Sequence, residues 1–508
     1  MRSSFPCRAA LFRCLASGCA AACAATAQSA AALPELKQLP SDTPCFPIAR
    51  VELVGAHAAA LPWLQRELDA VRGQCVGAAG LRAIKRVLDS RLLERGYTTS
   101  RIGFDAQNLA GGVLHVRLHA GVVDALRIVA DVPPGWGAIF AQPLGAPFEL
   151  RRLEQGLELA DRLPSQRVHV RIEPAAAPGG SVVIVERAPG SRRRLHGALR
   201  TDNGADAAQG RLRQIVALAL DQPSWHNDQL TLLASTTVRG LGPAQRAQSV
   251  ALGYSVPWHG VLLDAAATTQ RVGQTVQARH VRFVSSAAVE QWRVQTQWPL
   301  WRGAATRWNG HAALSRQRTR GWLQDTELAV QRRDSRVVEI GTDALQLSAA
   351  GSLGWQLALR EGVGAPGAGL ARAQALRTQV QTARRAGPWS WRLAASAQLG
   401  RHGMAPEERF VPMLHGFDAN RPSSGDSGVL LQHELARALP QFGGWATAAF
   451  ATVDVARLSG MRGALAGAAL GLDMRRGKVG LELTLGAPLR QQNAVRDTLL
   501  RASATFQF

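Results

Sequence analysis

The sequence predicts two small α+β modules of order β-α-α-β-β, followed by a transmembrane antiparallel β-barrel of about 16 strands. Three observations predict it. The first is the stretch Arg501–Phe508, in which Ala502, Ala504, Phe506 and Phe508 fall on one face and Arg501, Ser503, Thr505 and Gln507 on the other. That is the period of two of a strand with one apolar and one polar side. A strand so apolar, ending on Phe508, is sticky at a free edge. It is accommodated when its apolar face meets lipid and its edges are paired in a closed barrel. The second observation is that helical stripes fade near Leu195. Alternating segments broken by Gly, Pro, Asp and Asn take over, as in Lys478–Gly486, where Val479, Leu481, Leu483 and Leu485 oppose Gly480, Glu482 and Thr484. The roughly 314 residues after Arg194 suit an even count near 16, at about 20 residues per strand and connection. The third is a compact pattern of strands and helices, found twice before residue 190.

Taken in order, residues 1–27 have the features of a secretory signal: Arg2 and Arg8, an Ala/Leu/Cys-rich run interrupted by Arg13, and the small-x-small site Ala25-Thr26-Ala27. Ala16-Ser17-Gly18-Cys19 is a weak lipoprotein-like box. Residues 28–44 form a linker. Phe46–Val54 is expected as a strand, Ala58–Ala70 as a helix, and Ala78–Arg95 as a second helix with Leu81, Ile84, Leu88 and Leu92 on one stripe. Gly96 caps it. Strands Tyr97–Phe104 and Val113–Leu118 follow, joined by the turn-rich 107–112. The plan returns more faintly as strand Val122–Ala130, helix Glu149–Leu163 with Leu150, Leu153, Leu157 and Leu159 or Ala160 inward, and strands Arg167–Ile172 and Ser181–Glu186 around the turn Pro174–Gly180. Leu199–Gly204 leads into a strand, Arg211–Leu220, and Asp228–Val238 forms another.

Composition narrows the function. At 508 residues the chain exceeds one compact core. Its formal charge is +22, and Lys37, Lys85 and Lys478 are its only lysines. Excess base suggests nucleic acid, but the arginines are dispersed, Arg192-Arg193-Arg194 being the densest run. No helix-turn-helix, zinc-finger or RNA-binding motif accompanies them, so no nucleic-acid partner is expected. Arginines on barrel strands are expected to face the lumen, because facing lipid at mid-membrane costs up to about 2–4 kcal/mol. Beyond the leader no apolar run reaches the ~20 residues of a spanning helix. Of six cysteines, Cys7, Cys14, Cys19 and Cys23 lie in the leader. Cys45 and Cys75 remain, too few for a structural zinc site; one disulfide in an oxidising compartment is the simpler reading.

Two local matches to enzyme motifs lack their context. Gly425-Asp426-Ser427-Gly428 copies the core of a trypsin-type nucleophile loop, without the sequence surroundings of a His base and orienting Asp. Gly362-Val-Gly364-Ala-Pro-Gly367 matches GxGxxG, but Pro366 and the alternating surroundings favour a loop over a dinucleotide-binding helix start. The histidines show no i, i+4 metal pairs. No catalytic residues, cofactor or metal are expected.

The stretch Cys45-Phe-Pro-Ile-Ala-Arg-Val-Glu-Leu-Val-Gly55, with Cys75-Val-Gly77, Arg95-Gly-Tyr-Thr-Thr99 and Gln107-Asn108-Leu109, resembles the first POTRA module of two-partner secretion transporters, the outer-membrane haemolysin and haemagglutinin exporters. Leu153-Glu-Gln-Gly-Leu-Glu158 through Arg162-Leu-Pro-Ser165 resembles the second module, and Tyr254-Ser-Val-Pro-Trp258 a strand-end motif of that family. The resemblance implies POTRA 1 over 45–120, POTRA 2 over 121–190, and a barrel over 195–508 with an inward loop at 405–430. It also implies an outer-membrane location with the POTRA modules in the periplasm, outer-membrane lipid around the barrel, and export of a large secreted exoprotein of β-helical haemolysin or adhesin type. A Cys45–Cys75 disulfide is expected.

The inward loop resembles Glu408-Arg-Phe-Val-Pro-Met-Leu-His-Gly-Phe417 together with Ser424–Gly428 and Glu434-Leu435. In the family its core is Val-Arg-Gly-Phe or Val-Arg-Gly-Tyr, whose Arg reaches an acidic residue on the barrel wall. Asp454 matches the acidic position, and His415, Gly416 and Phe417 complete the expected lock. His415 stands in place of Arg, and Leu414 in place of Val. A neutral imidazole either donates one hydrogen bond to Asp454 and positions the loop, or Asp454 raises the imidazole pKa and acidification tightens the lock. Relatives often carry a plug helix before the first module. About 17 residues separate Ala27 from Cys45, too few for a useful amphipathic helix, so closure is expected to rest on the inward loop. A membrane-protein insertion barrel, a diffusion porin, and a secreted basic hydrolase or binding protein without a barrel remain as alternatives.

Overall fold

The computed structural model describes residues 36–40, 42–129, 139–140, 143–187, 193–205, 210–238, 246–277, 281–363, 374–401, 404–417, 423–490 and 498–508. The leader, Arg192 and the Gly364–Gly367 part of the GxGxxG match lie outside them. The chain divides into two compact units. The first holds residues up to Val122 with Gly145–Phe148 and Ala176–Gly180; the second holds the rest.

In the first unit, β1 (Phe46–Pro47) and β2 (Arg50–Val54) replace the single strand expected over Phe46–Val54. Pro47 has no N–H to extend a ladder. The chain changes partners there: β1 pairs with β3 (Cys75–Val76), whereas Ala49 and Arg50 donate to the Gly112 carbonyl. The helix expected over Ala58–Ala70 is an α-helix, α1 (Pro62–Leu68), between two short 3-10 turns. Pro62 occupies the first turn, where its missing N–H costs nothing. α2 (Ala78–Glu94) buries Ile84, Val87, Leu88 and Leu92, the stripe its spacing implies. It stops at Gly96, and the Tyr97 N–H returns to the Leu92 carbonyl at 2.8 Å. That turn consumes the start of the strand expected over Tyr97–Phe104, leaving β4 (Arg101–Gly103). β5 (Val113–His119) lies between β2, parallel to it, and β4, antiparallel. The core joins Val51, Leu64, Leu68, Leu88, Leu114 and Val116. Cys45 and Cys75 are disulfide-bonded, 5.4 Å apart at Cα.

The second unit opens with a sheet of β6 (Val122–Ile128), β7 (Val168–Pro174) and β8 (Gly180–Arg187) in the order β6-β8-β7, crossed by α3 (Leu150–Asp161). α3 buries Leu153, Gly156 and Ala160, which decides between Leu159 and Ala160. Its other face grips one rim of the barrel. Glu158 pairs with Arg302 and, at 2.5 Å, with Arg307. Gln155 donates to the Gly260 carbonyl at 2.7 Å, and Arg162 to Ser255 Oγ and the Asn227 carbonyl at 2.5 and 2.6 Å. The hairpin His259-Gly260 that meets Gln155 has φ of 47° and 81°, the mirror-image turn that two-residue hairpins need.

Among the described residues, sixteen antiparallel strands, from Leu195–Asp202 to Leu499–Gln507, form a closed barrel, and a two-residue strand, Thr326–Glu327, extends one hairpin. The last strand closes on the first: Ser503 pairs with Asp202 and Gln507 with Ala198. The segment before Arg211 is itself the first strand, Leu195–Asp202, where the sequence suggested Leu199–Gly204 only as a lead into one. The alternation holds. In Thr306–Leu323, Leu314 is 57% exposed on the outside, whereas the inward His311 is 2% exposed. Many arginines do face inward, Arg293, Arg360, Arg377 and Arg501 among them. The expectation fails for Arg316, Arg318, Arg320 and Arg336, which share the outward parity of Leu314 and Ile340. They lie toward the edge of the apolar belt, where the penalty falls to about 0–1 kcal/mol. No helix among the described residues is long and apolar enough to cross a membrane. The closed barrel excludes the secreted protein without a barrel.

Candidate functional site: the loop inside the barrel

Residues 404–417 and 423–427 connect strands Trp389–Gly400 and Gly428–Phe442. The chain turns into the barrel because the wall offers partners for its polar groups and a pocket for its apolar ones. Leu414 inserts beside Leu430, Ala456, Leu458 and Leu465, with Phe410, Phe417 and Met461 at the margin. Phe410 and Gly425 bridge the two arms of the loop through paired backbone bonds of 2.8 and 3.1 Å.

The expected lock residues come together. Asp454, on strand Trp445–Leu458, is fully buried. One carboxylate oxygen, Oδ2, accepts both the His415 backbone N–H at 2.6 Å and the ring Nδ1 at 2.7 Å. Oδ1 is buried and has no hydrogen-bond partner among the described residues. An arginine here would fork to both oxygens; the imidazole reaches one. The His415 pKa is raised above 6.5, first by the hydrogen bond to Asp454, against the opposing effect of burial. The sharper reading of His415 therefore has a physical footing: the imidazolium is favoured while the loop is seated. Gly416 has φ of +80°, and a Cβ there would stand 2.4 Å from the Ala487 backbone, so the loop crosses the wall at a distance only glycine allows. The Phe417 carbonyl accepts from Arg501 at 2.8 Å.

Other anchors escaped the sequence reading. Gly467 leaves room for the His415 carbonyl, which a Cβ would meet at 2.0 Å, and Gly486 does the same for Gly416. Gln432 donates to the Met413 carbonyl. At the base of the loop, Glu408 meets Arg360 at 3.0 Å; Arg360 also meets Glu339, which pairs with Arg293 at 2.7 Å. Burial pushes the Glu408 carboxyl up, opposed by Arg360 and Arg377. Gln398 holds the Glu408 and Asp426 carbonyls at 2.9 and 3.1 Å. Facing glycines on adjacent strands were a usable signal for the close approach. The ion pairs were not, since they join strands far apart in sequence.

The protease-like match resolves as a structural turn. Ser427 Oγ donates to the Gly400 carbonyl and accepts from the Gly400 N–H, and Asp426 pairs with Arg409 at 3.2 Å.

A family model described as haemolysin secretion/activation protein ShlB/FhaC/HecB matches residues 179–474. A second, described as a ShlB-type POTRA domain, matches residues 46–121. The outer membrane transporter CdiB-2 of Burkholderia pseudomallei is 27% identical over 342 residues, 64% of this chain and 58% of that protein. The hemolysin transporter protein ShlB of Serratia marcescens is 25% identical over 340 residues, 66% of this chain and 59% of that protein. The chain thus matches less than two thirds of the length of these relatives. Among solved structures, CdiB from Acinetobacter baumannii superposes with a TM-score of 0.84 at 19% identity, covering 100% of both chains. CdiB from Escherichia coli superposes with a TM-score of 0.80 at 22% identity, covering 94% of each. These two show the same fold.

Proposed function

The chain belongs to the ShlB/FhaC/HecB haemolysin secretion/activation family of outer-membrane transporters, and from that premise we infer that it exports a large secreted partner protein through its own barrel. The observation that carries the inference is a closed lumen occupied by a loop held through hydrogen bonds, ion pairs and one small apolar pocket. Such a loop can leave as a unit and return, which a packed core cannot. The wall it vacates is rich in arginine, glutamine and serine, able to accept the backbone groups of an extended chain.

The partner is an unfolded exoprotein of haemolysin or adhesin type, β-helical once outside. The sheet edge β7 is suited to hold an extended segment of it by strand addition, whereas Gln65 already caps the edge of β2. No covalent step is involved, so the protein is not an enzyme. The outer face is solvated by outer-membrane lipid. Direction comes from folding of the cargo outside, where backtracking requires unfolding.

Co-expression with a neighbouring reading frame, if one is found to encode a very large repetitive secreted protein, tests this. The partner is expected in the medium with the intact chain, and in the periplasm when residues 46–121 are deleted from a barrel that still inserts. Equal secretion in cells lacking the chain would overturn the inference.

A further inference from the structure

One group of outward arginines lies on neighbouring strands. Along strand Thr306–Leu323, Arg316, Arg318 and Arg320 alternate on the outer face, beyond the outward Trp308 and Leu314. On the neighbouring strand Arg333–Ser348, Arg336 stands directly across from Arg316. On the other side, Arg271 and Arg320 both oppose Ala288 of the strand Arg282–Arg302 between them. The acidic neighbours are Glu290, opposite Arg318, Asp334, Glu361, opposite Val338, and Glu327, opposite Trp322 and within electrostatic reach of Arg320. Asp334 is engaged by Arg316 and Arg318, and Glu327 by Arg332. Arg271, Arg320 and Arg336 make no ion pair among the described residues.

Height matters as much as charge. The strand starts at the rim held by α3 and runs away from it. Eight residues separate Trp308 from Arg316, about 26 Å along a strand and roughly 20 Å along the barrel axis at the usual tilt. Trp292, 61% exposed, lies directly across from Arg316. An aromatic girdle at each end of an apolar band of about 25 Å is the signature of the two lipid interfaces. On the same scale Arg318 and Arg320 stand about 25 and 30 Å above Trp308, at the headgroup level of the leaflet away from the periplasmic modules, and Arg316 and Arg336, about 20 Å up, reach it by extending their side chains toward the interface. Beside them, Val338, Ile340, Leu359, Glu361 and Val363 line a shallow apolar trough on the outer face.

We propose that this cluster is a binding site for the phosphate of an outer-leaflet glycolipid, with one acyl chain laid in the adjoining trough. The proposal rests on the reading of the barrel as embedded in the outer membrane. Arg316 opposite Arg336 is a like-charge pair whose cost Asp334 offsets only on the Arg316 side; a phosphate beside Arg336 and Arg320 adds charge-assisted hydrogen bonds there. Guanidinium groups match phosphate oxygens in pairs, and weak hydration lets them leave bulk water for the interface.

The test uses the full chain in phosphatidylethanolamine nanodiscs carrying either bis-phosphorylated lipid A or the same glycolipid dephosphorylated, with retained glycolipid counted by native mass spectrometry. Selective retention of the phosphorylated form is expected, falling about fivefold for each arginine removed in Arg320→Gln and Arg336→Gln. Arg476→Gln, at the opposite rim, is expected to retain it unchanged. Heat-modifiable migration in gels shows that each variant still closes its barrel. Equal retention of both glycolipids, indifference to Arg320→Gln and Arg336→Gln, or displacement by dilute inorganic phosphate overturns the lipid site and leaves the barrel reading intact. Failure to enter any nanodisc, without heat-modifiable migration, overturns the membrane reading itself.

Discussion

At His415 a single hydrogen bond decides behaviour. Asp454 raises the imidazole pKa while the loop is seated, so the seated state holds its proton more tightly than the released one. The extra stabilisation is fully present below the ordinary imidazole value of 6.5. It is lost as pH rises through the raised value. Single-channel conductance in lipid bilayers is therefore expected to increase on going from mildly acidic to alkaline buffer. His415→Ala is expected to be more open at every pH and flat with pH, the loss of seating being roughly 1–2 kcal/mol for a ring partly screened by water. His415→Arg is expected to be closed and equally flat, because it stays charged and reaches the unpaired Oδ1. A pH response surviving in His415→Ala would end this account of the lock. Gly467→Ala leaves the loop sequence untouched but places a methyl on the His415 carbonyl, so it should raise resting conductance as His415→Ala does. Conductance equal to the parent would show that the loop is not seated there. His415, Gly416, Phe417 and Asp454 were legible because a local motif marks them. Gly467, Arg501 and the Glu408–Arg360–Glu339 chain were not, because their positions follow from strand register, which no single stretch of sequence displays.

Helices and strands of the first module were legible from periodicity, and the errors fall at their ends. Pro47, Pro62 and the turn after Gly96 each moved a boundary by redirecting backbone hydrogen bonds. The disulfide at Cys45 and Cys75 ties the short β1–β3 pair to that core. Replacing both with Ser removes a cross-link spanning 30 positions, worth about 3 kcal/mol. Protease cutting within 46–121 of the intact chain should begin at lower urea, while the barrel stays resistant; no change would mean that the core alone holds the module. The grip of α3 on the rim was not legible, since nothing local to Gln155, Glu158 and Arg162 tells which distant barrel turns they meet. Burial lowers the Arg162 pKa, against the pull of Asp264, Asp221 and Asp228; Nη1 and Nη2 find acceptors in Ser255 and Asn227, while the buried Nε has none among the described residues. Arg162→Ala strands the Asn227 carbonyl and should cost about 2–3 kcal/mol. Hydrogen exchange of Leu150–Asp161 in the full chain is expected to accelerate, and unchanged protection would show the contact to be incidental.

For the molecule as a whole, a strand count near sixteen followed from length, and the identity of the lipid face followed from Lys478–Gly486 and Arg501–Phe508. What stayed hidden was height along the barrel axis. Period two tells inside from outside but not belt from rim, so the outward Arg316, Arg318 and Arg320 contradicted a rule that applies only within the belt. On the proposed function a second polypeptide threads the lumen. A photo-crosslinking side chain placed in turn at Ser503, facing inward, and at Ala502, facing lipid, tests it most directly in cells exporting the partner. The expected result is an adduct with the translocating partner from position 503 and none from 502. Adducts from 502 alone, or from neither during active export, would contradict it.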